Sequence, residues 1–424
     1  MLNRSIAPET HPVLSVQLPP AQVFTLPNGS RLHCLPGAGQ PVVKLEIIFK
    51  AGKLYEPVPG VSYLTAKMLL EGTAGLSAKQ IADTIAFYGA SIECNQGFDR
   101  SNLTLYCLSK HLGKLLPLVN EILTSPSFPQ EEFTLLKSRT IQNISIEKQK
   151  TSYLATAALT RNIYGQDHPY VTGMEEAGLA AINQEQIRSF FQSHYTFPEA
   201  EIILAGDFDE ANRQEVAGLF GGRSSPIHAA TQPKAGIKAI ENTLVDLPDK
   251  LQSSIRIGRN WPLMNHPDFA RLSLVNKILG GYFGSRLMKN IREEKGFTYG
   301  IFSAISPKEQ DSLFYIGTDV NYEKAQETVS EVLKEIRILK EELVPEEELE
   351  TVKAYTVGKF INDTATIFDQ SEKYKTIVLQ NLPGDYYSLY LQDIQNLSAA
   401  EIPGLMEKYL PEESLSIVVV GKQP

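Results

Sequence analysis

"NQEQIRSFFQSHYTFPEAEIILAGDF", residues 183–208, and "SAAEIPGLMEKYLPEESLSIVVVGKQ", residues 398–423, read as one piece of structure written twice. Asn183 pairs with Ser398, Ile187 with Ile402, Tyr195 with Tyr409 and Gly206 with Gly421. Each stretch opens on a capping-box pattern, Asn183 with Gln186 and Ser398 with Glu401, in which two side chains satisfy free backbone N–H groups at a helix start. Each continues as a helix, then a Tyr, then Pro-Glu, then an apolar strand ending at Gly. A repeat whose period is a whole domain decides the architecture before local propensity does.

A second pair extends the repeat. Residues 103–144 match residues 313–361 in order: a strand, an amphipathic helix, a loop, then Pro-x-Glu-Glu at Pro129 and Pro345 opening another helix. In the later copy Tyr322, Ala325, Val329, Val332, Leu333, Ile336 and Leu339 fall on one helical face. "VVKLEIIFKAG", residues 42–52, alternates Val43, Leu45, Ile47 and Phe49 inward, the signature of a strand. Strands and helices come in clusters, which predicts an α+β fold of two homologous domains, each a mostly antiparallel sheet with helices packed on one face. The domains are expected at 1–220 and 242–424. "GGRSSPIHAATQPKAGIK", residues 221–238, lacks a hydrophobic period and reads as a linker over 221–241. A crevice between the two halves is then the default ligand site.

Composition excludes several classes. With 42% hydrophobic and 21% charged residues the chain reads as globular, and no run of about 18 apolar residues predicts a membrane span. "MLNRSIAPETHPVL" has no apolar signal core, so a cytoplasmic, unprocessed chain is expected. A net charge of −9 without a Lys/Arg-rich block argues against a nucleic-acid partner. Cys34, Cys94 and Cys107 are odd in number and far apart, which predicts buried thiols and no disulfide framework.

Short motifs for metal or phosphate chemistry are missing. None of His11, His33, His111, His168, His194, His228 and His266 lies three to five residues from another His or a Cys. Each reads as a surface or capping residue. "GGYFGSR", residues 280–286, lacks the Lys-Ser/Thr of a phosphate loop and reads as a helix-end turn. "GVSYLTAKMLLEGT", residues 60–73, reads as a helix entered after Pro59-Gly60, capped by Ser62 and stopped by Gly72. Leu64 and Met68 share its core face, while Tyr63, Ala66 and Lys67 share another, aimed at one spot. "GSRLMKNIREEKGFTYGIFSAI", residues 284–305, reads as helix, a turn at Gly296, and a strand from about Phe297. It delivers Arg292 and Tyr299, a planar donor and a phenol, which suit a peptide carbonyl or an oxyanion. The alternative is a surface Arg in the charged helix end 292–295 and a Tyr packed on a sheet.

Four ordered segments carry a resemblance: residues 26–57, 60–73, 194–208 and 284–300. Together they resemble the pitrilysin family of inverted-motif zinc peptidases, which includes insulin-degrading enzyme and mitochondrial processing peptidase. The resemblance covers nearly the whole chain and implies duplicated domains forming half of a clamshell. In catalytic members the helix matching 60–73 carries H-x-x-E-H. Its first His aligns with Tyr63, its Glu with Ala66 and its second His with Lys67. The third ligand falls on Asn143, or on Gln142 if the alignment slips by one. All of these positions are substituted, so no catalytic zinc is expected in this chain. The Arg292–Tyr299 spacing does match the family's second-domain pattern, where the Tyr stabilises the tetrahedral intermediate and the Arg holds the substrate backbone.

The resemblance therefore implies a non-catalytic subunit of a heterodimeric zinc metallopeptidase, active only with a zinc-bearing partner. Arg292 and Tyr299 would act in trans on a peptide or unfolded-protein substrate. The rival is a stand-alone structural or peptide-binding protein of the same fold with no proteolytic role, homodimeric when expressed alone. A weaker alternative makes Lys67 a base of shifted pKa.

Overall fold

The computed structural model describes residues 17–222 and 241–422. Eleven strands among them form two sheets. The first contains β1 (Gln22–Thr25), β2 (Arg31–Pro36), β3 (Val42–Phe49), β4 (Ser91–Gln96), β5 (Ser101–Leu108) and β6 (Glu201–Gly206), in the order β1-β2-β6-β3-β5-β4. The second contains β7 (Thr243–Asp246), β8 (Gln252–Trp261), β9 (Ile301–Pro307), β10 (Ser312–Asn321) and β11 (Ser416–Gly421), in the order β7-β11-β8-β10-β9. Set side by side, β2-β6-β3-β5-β4 and β7-β11-β8-β10-β9 are the same sheet. Each has one parallel pair, β2 with β6 and β7 with β11, and is otherwise antiparallel.

The repeated capping signals form as expected. Asn183 with Gln186 and Ser398 with Glu401 both close capping boxes. Pro129 and Pro345 both stand at the N-cap of the long helices Gln130–Glu147 and Glu346–Asn362. Proline suits that place because it has no N–H to leave unpaired. Gly206 and Gly421 end β6 and β11 with φ of +111° and +152°. The linker expected at 221–241 falls largely on residues 223–240, which lie outside the described residues; Gly221 ends the Glu210–Gly221 helix.

Helices pack on one face of each sheet. On β3, Val43, Leu45, Ile47 and Phe49 point into this core with Leu32, Leu103, Leu105, Ile202 and Leu204. The second core repeats the arrangement with Ile255, Ile257, Phe314 and Ile316 under their own helices. Burial pushes the Cys34 and Cys107 thiols up to about 11 and Cys94 to about 12, so all three are inert buried groups.

The opposite face of each sheet is covered by a helix from the other half. Thr151–Tyr164 lies on β8 and β11. Ile367–Leu379 lies on β6 and β2. Ala155, Leu159, Ile163 and Tyr164 pack with Leu313, Val418 and Val420. Gly258 admits the first of these helices: a Cβ there would lie 3.2 Å from Leu159 Cδ2. In the reciprocal contact Ile367, Tyr374 and Leu379 pack with Leu35, Ile48, Ile203 and Ala205. A Cβ on Gly37 would lie 2.8 Å from Ile367.

This exchange buries residues that alternation places outside. Lys44 and Glu46 on β3 are each 1% exposed, with Lys44 Nζ 2.7 Å from Glu46 Oε2, though without hydrogen-bond geometry. Glu372 and Lys375 of the incoming helix complete the cluster: Lys44 donates to Glu372, and Lys375 Nζ donates to Glu46 Oε1 at 2.9 Å. His33, expected at the surface or in a cap, is buried instead. Its Nδ1 lies 2.8 Å from Tyr374 Oη and its Nε2 2.8 Å from Glu201 Oε2.

The β9–β10 turn adds a third tie between the halves. Arg100 grips Glu309 through two bonds of 2.6 and 2.8 Å. Lys308 Nζ sits 5.2–5.3 Å from the ring centroids of Phe98, Tyr164 and Tyr170.

Candidate functional site

The short helix of the first half begins one residue after the expected proline-glycine break. It spans Val61–Met68, and its N-cap is Gly60 at φ +103°. Ser62 does not cap it. The cap is Glu56, four residues upstream, whose Oε2 accepts Gly60 N at 3.0 Å, Ser62 N at 3.2 Å and Ser62 Oγ at 2.6 Å. Burial of this carboxyl raises its pKa, against the pull of those donors. Leu64 and Met68 enter the core as expected.

The four motif positions do not converge on a metal. Ala66 is buried and has no side-chain donor. Lys67 turns to β4, donating from Nζ to the Cys94 carbonyl at 3.3 Å. Asn143 and Gln142 are exposed on the Gln130–Glu147 helix. Tyr63 borders a pocket of about 350 Å³, together with Lys53, Glu56, Phe98, Ile144 and Glu147. A catalytic zinc takes three protein donors such as His nitrogen or carboxylate oxygen. A methyl group, an ammonium, an amide and a phenol do not fit it. Among the described residues no cluster of three His, Cys, Asp or Glu side chains is placed to hold a metal ion. The pocket lies within the first half. The junction of the halves, where a crevice was expected, is filled over the two crossing helices.

The Arg292–Tyr299 segment is built differently. Arg292 lies in a π-helical segment, Met288–Glu294, a rare geometry found disproportionately at functional sites. Ile291 is fully buried, and Asn290 Nδ2 donates to Glu335 Oε1 at 2.7 Å. The Arg292 guanidinium carbon lies 4.6 Å from the Phe283 ring centroid. The chain turns at Gly296, φ +66°, as expected. The strand does not begin at Phe297: Tyr299 stands two residues before β9 starts at Ile301. It also does not pack on the sheet, since it is 97% exposed. Its backbone is nonetheless pinned. Thr298 Oγ1 donates to the Asp319 carbonyl at 2.8 Å and accepts Gly300 N at 3.1 Å. No hydrogen bond joins Arg292 to Tyr299 among the described residues. What results is an exposed phenol on a hydrogen-bonded main chain and, seven residues earlier in the chain, a cation lying over an aromatic ring.

Two family models divide the chain between these regions. The one described as insulinase, peptidase family M16, matches residues 37–170, which hold Tyr63, Ala66, Lys67 and Asn143. The one described as the peptidase M16 inactive domain matches residues 181–355, which hold Arg292 and Tyr299. The chain belongs to peptidase family M16. Among M16 relatives, it is 24% identical over 349 residues to an "uncharacterized zinc protease YmxG" of Bacillus subtilis, covering 80% of this chain and 83% of that protein. It is 22% identical over 376 residues to a "non-peptidase homolog YmxG" of Helicobacter pylori, covering 86% and 85%. The crystal structure of a peptidase M16 inactive domain from Pseudomonas fluorescens matches with a TM-score of 0.86 at 26% identity, over 95% of this chain and 98% of that one. A protease from Helicobacter pylori matches with a TM-score of 0.86 at 18% identity, over 96% and 100%. The M16 chain has no helix among its described residues that is long and apolar enough to cross a membrane.

Several residues of this M16 chain have roles that sequence reasoning did not reach. Glu56 as a helix cap lies outside the usual cap position, and only its spacing before Gly60 hints at it. Thr298 pins the Tyr299 backbone through a partner 21 residues away. Phe283 was read only as part of a helix-end turn, which it also is, after the Phe269–Leu279 helix.

Proposed function

We propose that this M16 chain is the non-catalytic subunit of a two-chain zinc peptidase. It binds an extended peptide and supplies Arg292 and Tyr299 to a zinc-bearing partner of the same family. The observation that carries the reading is Tyr299: 97% exposed, with the main chain beside it held by Thr298. The held main chain aims an exposed phenol outward, where it is free to donate to an oxyanion on a bound substrate. The chain's own motif positions, Tyr63, Ala66, Lys67 and Asn143, cannot supply the metal, so a partner must. In that complex Tyr299 donates to the developing oxyanion, and the Arg292 edge donors take a backbone carbonyl of the substrate.

The test is reconstitution with a co-purifying chain that carries H-x-x-E-H. Tyr299→Phe is expected to lower kcat by about 10²–10³ with assembly intact, the usual effect of losing one oxyanion donor. Unchanged turnover of the assembled variant rejects the trans role. A second reading, a peptide-binding protein without proteolysis, is favoured by the Helicobacter pylori relative's being a non-peptidase homolog. On that reading the chain alone binds extended peptides, and no partner confers cleavage.

A further inference from the structure

Arg292 is followed in sequence by two carboxylates, Glu293 and Glu294, yet makes no ion pair among the described residues. The neighbouring cation behaves otherwise: Lys295 Nζ reaches Glu331 Oε1 at 3.3 Å. What Arg292 does contact is Phe283, at 4.6 Å from guanidinium carbon to ring centroid. That ring is 64% exposed, so it is not part of the core.

The loop that presents Phe283 has little freedom to move. A Cβ on Gly280 would lie 2.7 Å from Ser303 N, and one on Gly281 would lie 2.9 Å from Lys277 Cα. Tyr282, on one side, packs tilted against Tyr355 with ring centroids 4.9 Å apart. On the other side Ser285 is buried, and Arg286 grips Glu348 with bonds of 2.9 and 2.8 Å. Phe283 is thus a large apolar side chain held outward on a rigid turn.

We infer that Phe283 is a positioning residue for Arg292. Its ring covers one face of the guanidinium and fixes the plane, while the edge N–H donors stay free for an acceptor. Guanidinium combines the two contacts because it stacks through its face and bonds through its edge, which an ammonium cannot do. The ligand this arrangement takes is a main-chain carbonyl or a carboxylate of a bound peptide. The inference rests on the reading of residues 288–300 as a peptide-binding face.

Two measurements separate the inference from that reading. The first is the Nε–Hε resonance of Arg292, identified by its loss in Arg292→Lys. Ring current from Phe283 shifts it upfield; Phe283→Leu removes the shift and Phe283→Tyr restores it. The second is fluorescence anisotropy with a short fluorescein-labelled extended peptide. Phe283→Leu is expected to weaken binding about two- to five-fold, the scale of an exposed cation–π contact. Arg292→Ala weakens it by about ten-fold or more. The double variant binds no worse than Arg292→Ala, because the ring acts only through the cation. An unmoved resonance in Phe283→Leu, or additive losses, overturns the positioning role. If the resonance behaves as stated but the wild type binds no peptide, the positioning role survives and the peptide-binding reading falls.

Discussion

The Thr151–Tyr164 helix meets the second sheet through Ala155, Leu159 and Ile163, and through neutral bonds such as Ser254 Oγ to Thr151 Oγ1 at 2.8 Å. The Ile367–Leu379 helix meets the first sheet through a smaller apolar patch and a set of charges: Lys44, Glu46, Glu372 and Lys375, with Arg31, His33 and Glu201 beside them. The two contacts are equivalent by the internal repeat but differ in how charge enters them: Arg256 on β8 donates to Thr156 Oγ1 at 3.3 Å, yet among the described residues no salt bridge joins the Thr151–Tyr164 helix to the second sheet. Apolar burial contributes steadily and tolerates small shifts, at about 25 cal/mol per Å². Buried ions contribute little net stability when complete and cost much when broken. Duplication has therefore conserved the geometry of the exchange while the forces behind it diverged.

The largest effect that tests this contrast comes from breaking the charged contact. Glu46→Ala removes the buried carboxylate that faces both Lys44 and Lys375, and is expected to cost about 3–5 kcal/mol. Leu159→Ala on the apolar side opens a cavity beside Gly258 and is expected to cost about 2–5 kcal/mol. Urea unfolding measures both. Hydrogen exchange distinguishes their character: Glu46→Ala should speed exchange first in 367–379, whereas Leu159→Ala should destabilise 151–164 and β11 together. Equal protection of both helices in both variants would erase the distinction.

Acid gives the next largest effect, and it falls mainly on the charged contact. Burial opposes ionisation of Glu201 and Glu372, but hydrogen bonds from His33 and Arg31 to the first, and the charges of Lys375 and Lys44 on the second, hold both below the usual 4.5. A carboxyl depressed in the folded state stabilises it above its unfolded pKa and loses that contribution as pH falls through the folded value. The charged contact is thus at full strength at neutral pH and weakens below 4.5. Among the described residues no carboxylate joins the Thr151–Tyr164 helix to the second sheet by a salt bridge, so hydrogen exchange down to about pH 3 should open 367–379 before 151–164.

The parts legible in the sequence are those set by local chemistry. Capping boxes at Asn183 and Ser398, the Pro-x-Glu-Glu helix starts and the alternation of β3 were all readable, and with them the duplication. Spacing shows that Tyr63, Ala66 and Lys67 share a face; that they stand where relatives carry H-x-x-E-H is legible only through the family resemblance. The helix exchange was not legible. A strand's pattern says which residues share a face, not what covers the second face, so the burial of Lys44 and Glu46 is not legible from it. His33 was misplaced for the same reason. The Thr298 bond to Asp319 on β10, 21 residues on, is not marked in the sequence, and β9 begins at Ile301, not at Phe297. Arg292 and Phe283 meet only because the 280–286 turn and the π-helical segment pack together.

The smallest expected effect asks the most of the comparison. Replacing the buried pair together, Lys44→Met with Glu46→Leu, should change stability by less than about 1 kcal/mol, or raise it. Lys375 keeps Glu372 at 2.6 Å, so no ion is stranded. If charges are not there for stability, selectivity is the remaining use. The two halves present equivalent sheets to equivalent helices, and an apolar face on both would accept either helix. One charged contact makes the wrong pairing costly, because it would bury Lys44 and Glu46 against the apolar Thr151–Tyr164 helix. The double variant should therefore keep its Tm yet unfold less cooperatively, with calorimetric and van't Hoff enthalpies diverging. A large loss of Tm would show instead that the ions carry stability, and that the two contacts differ less than their chemistry implies.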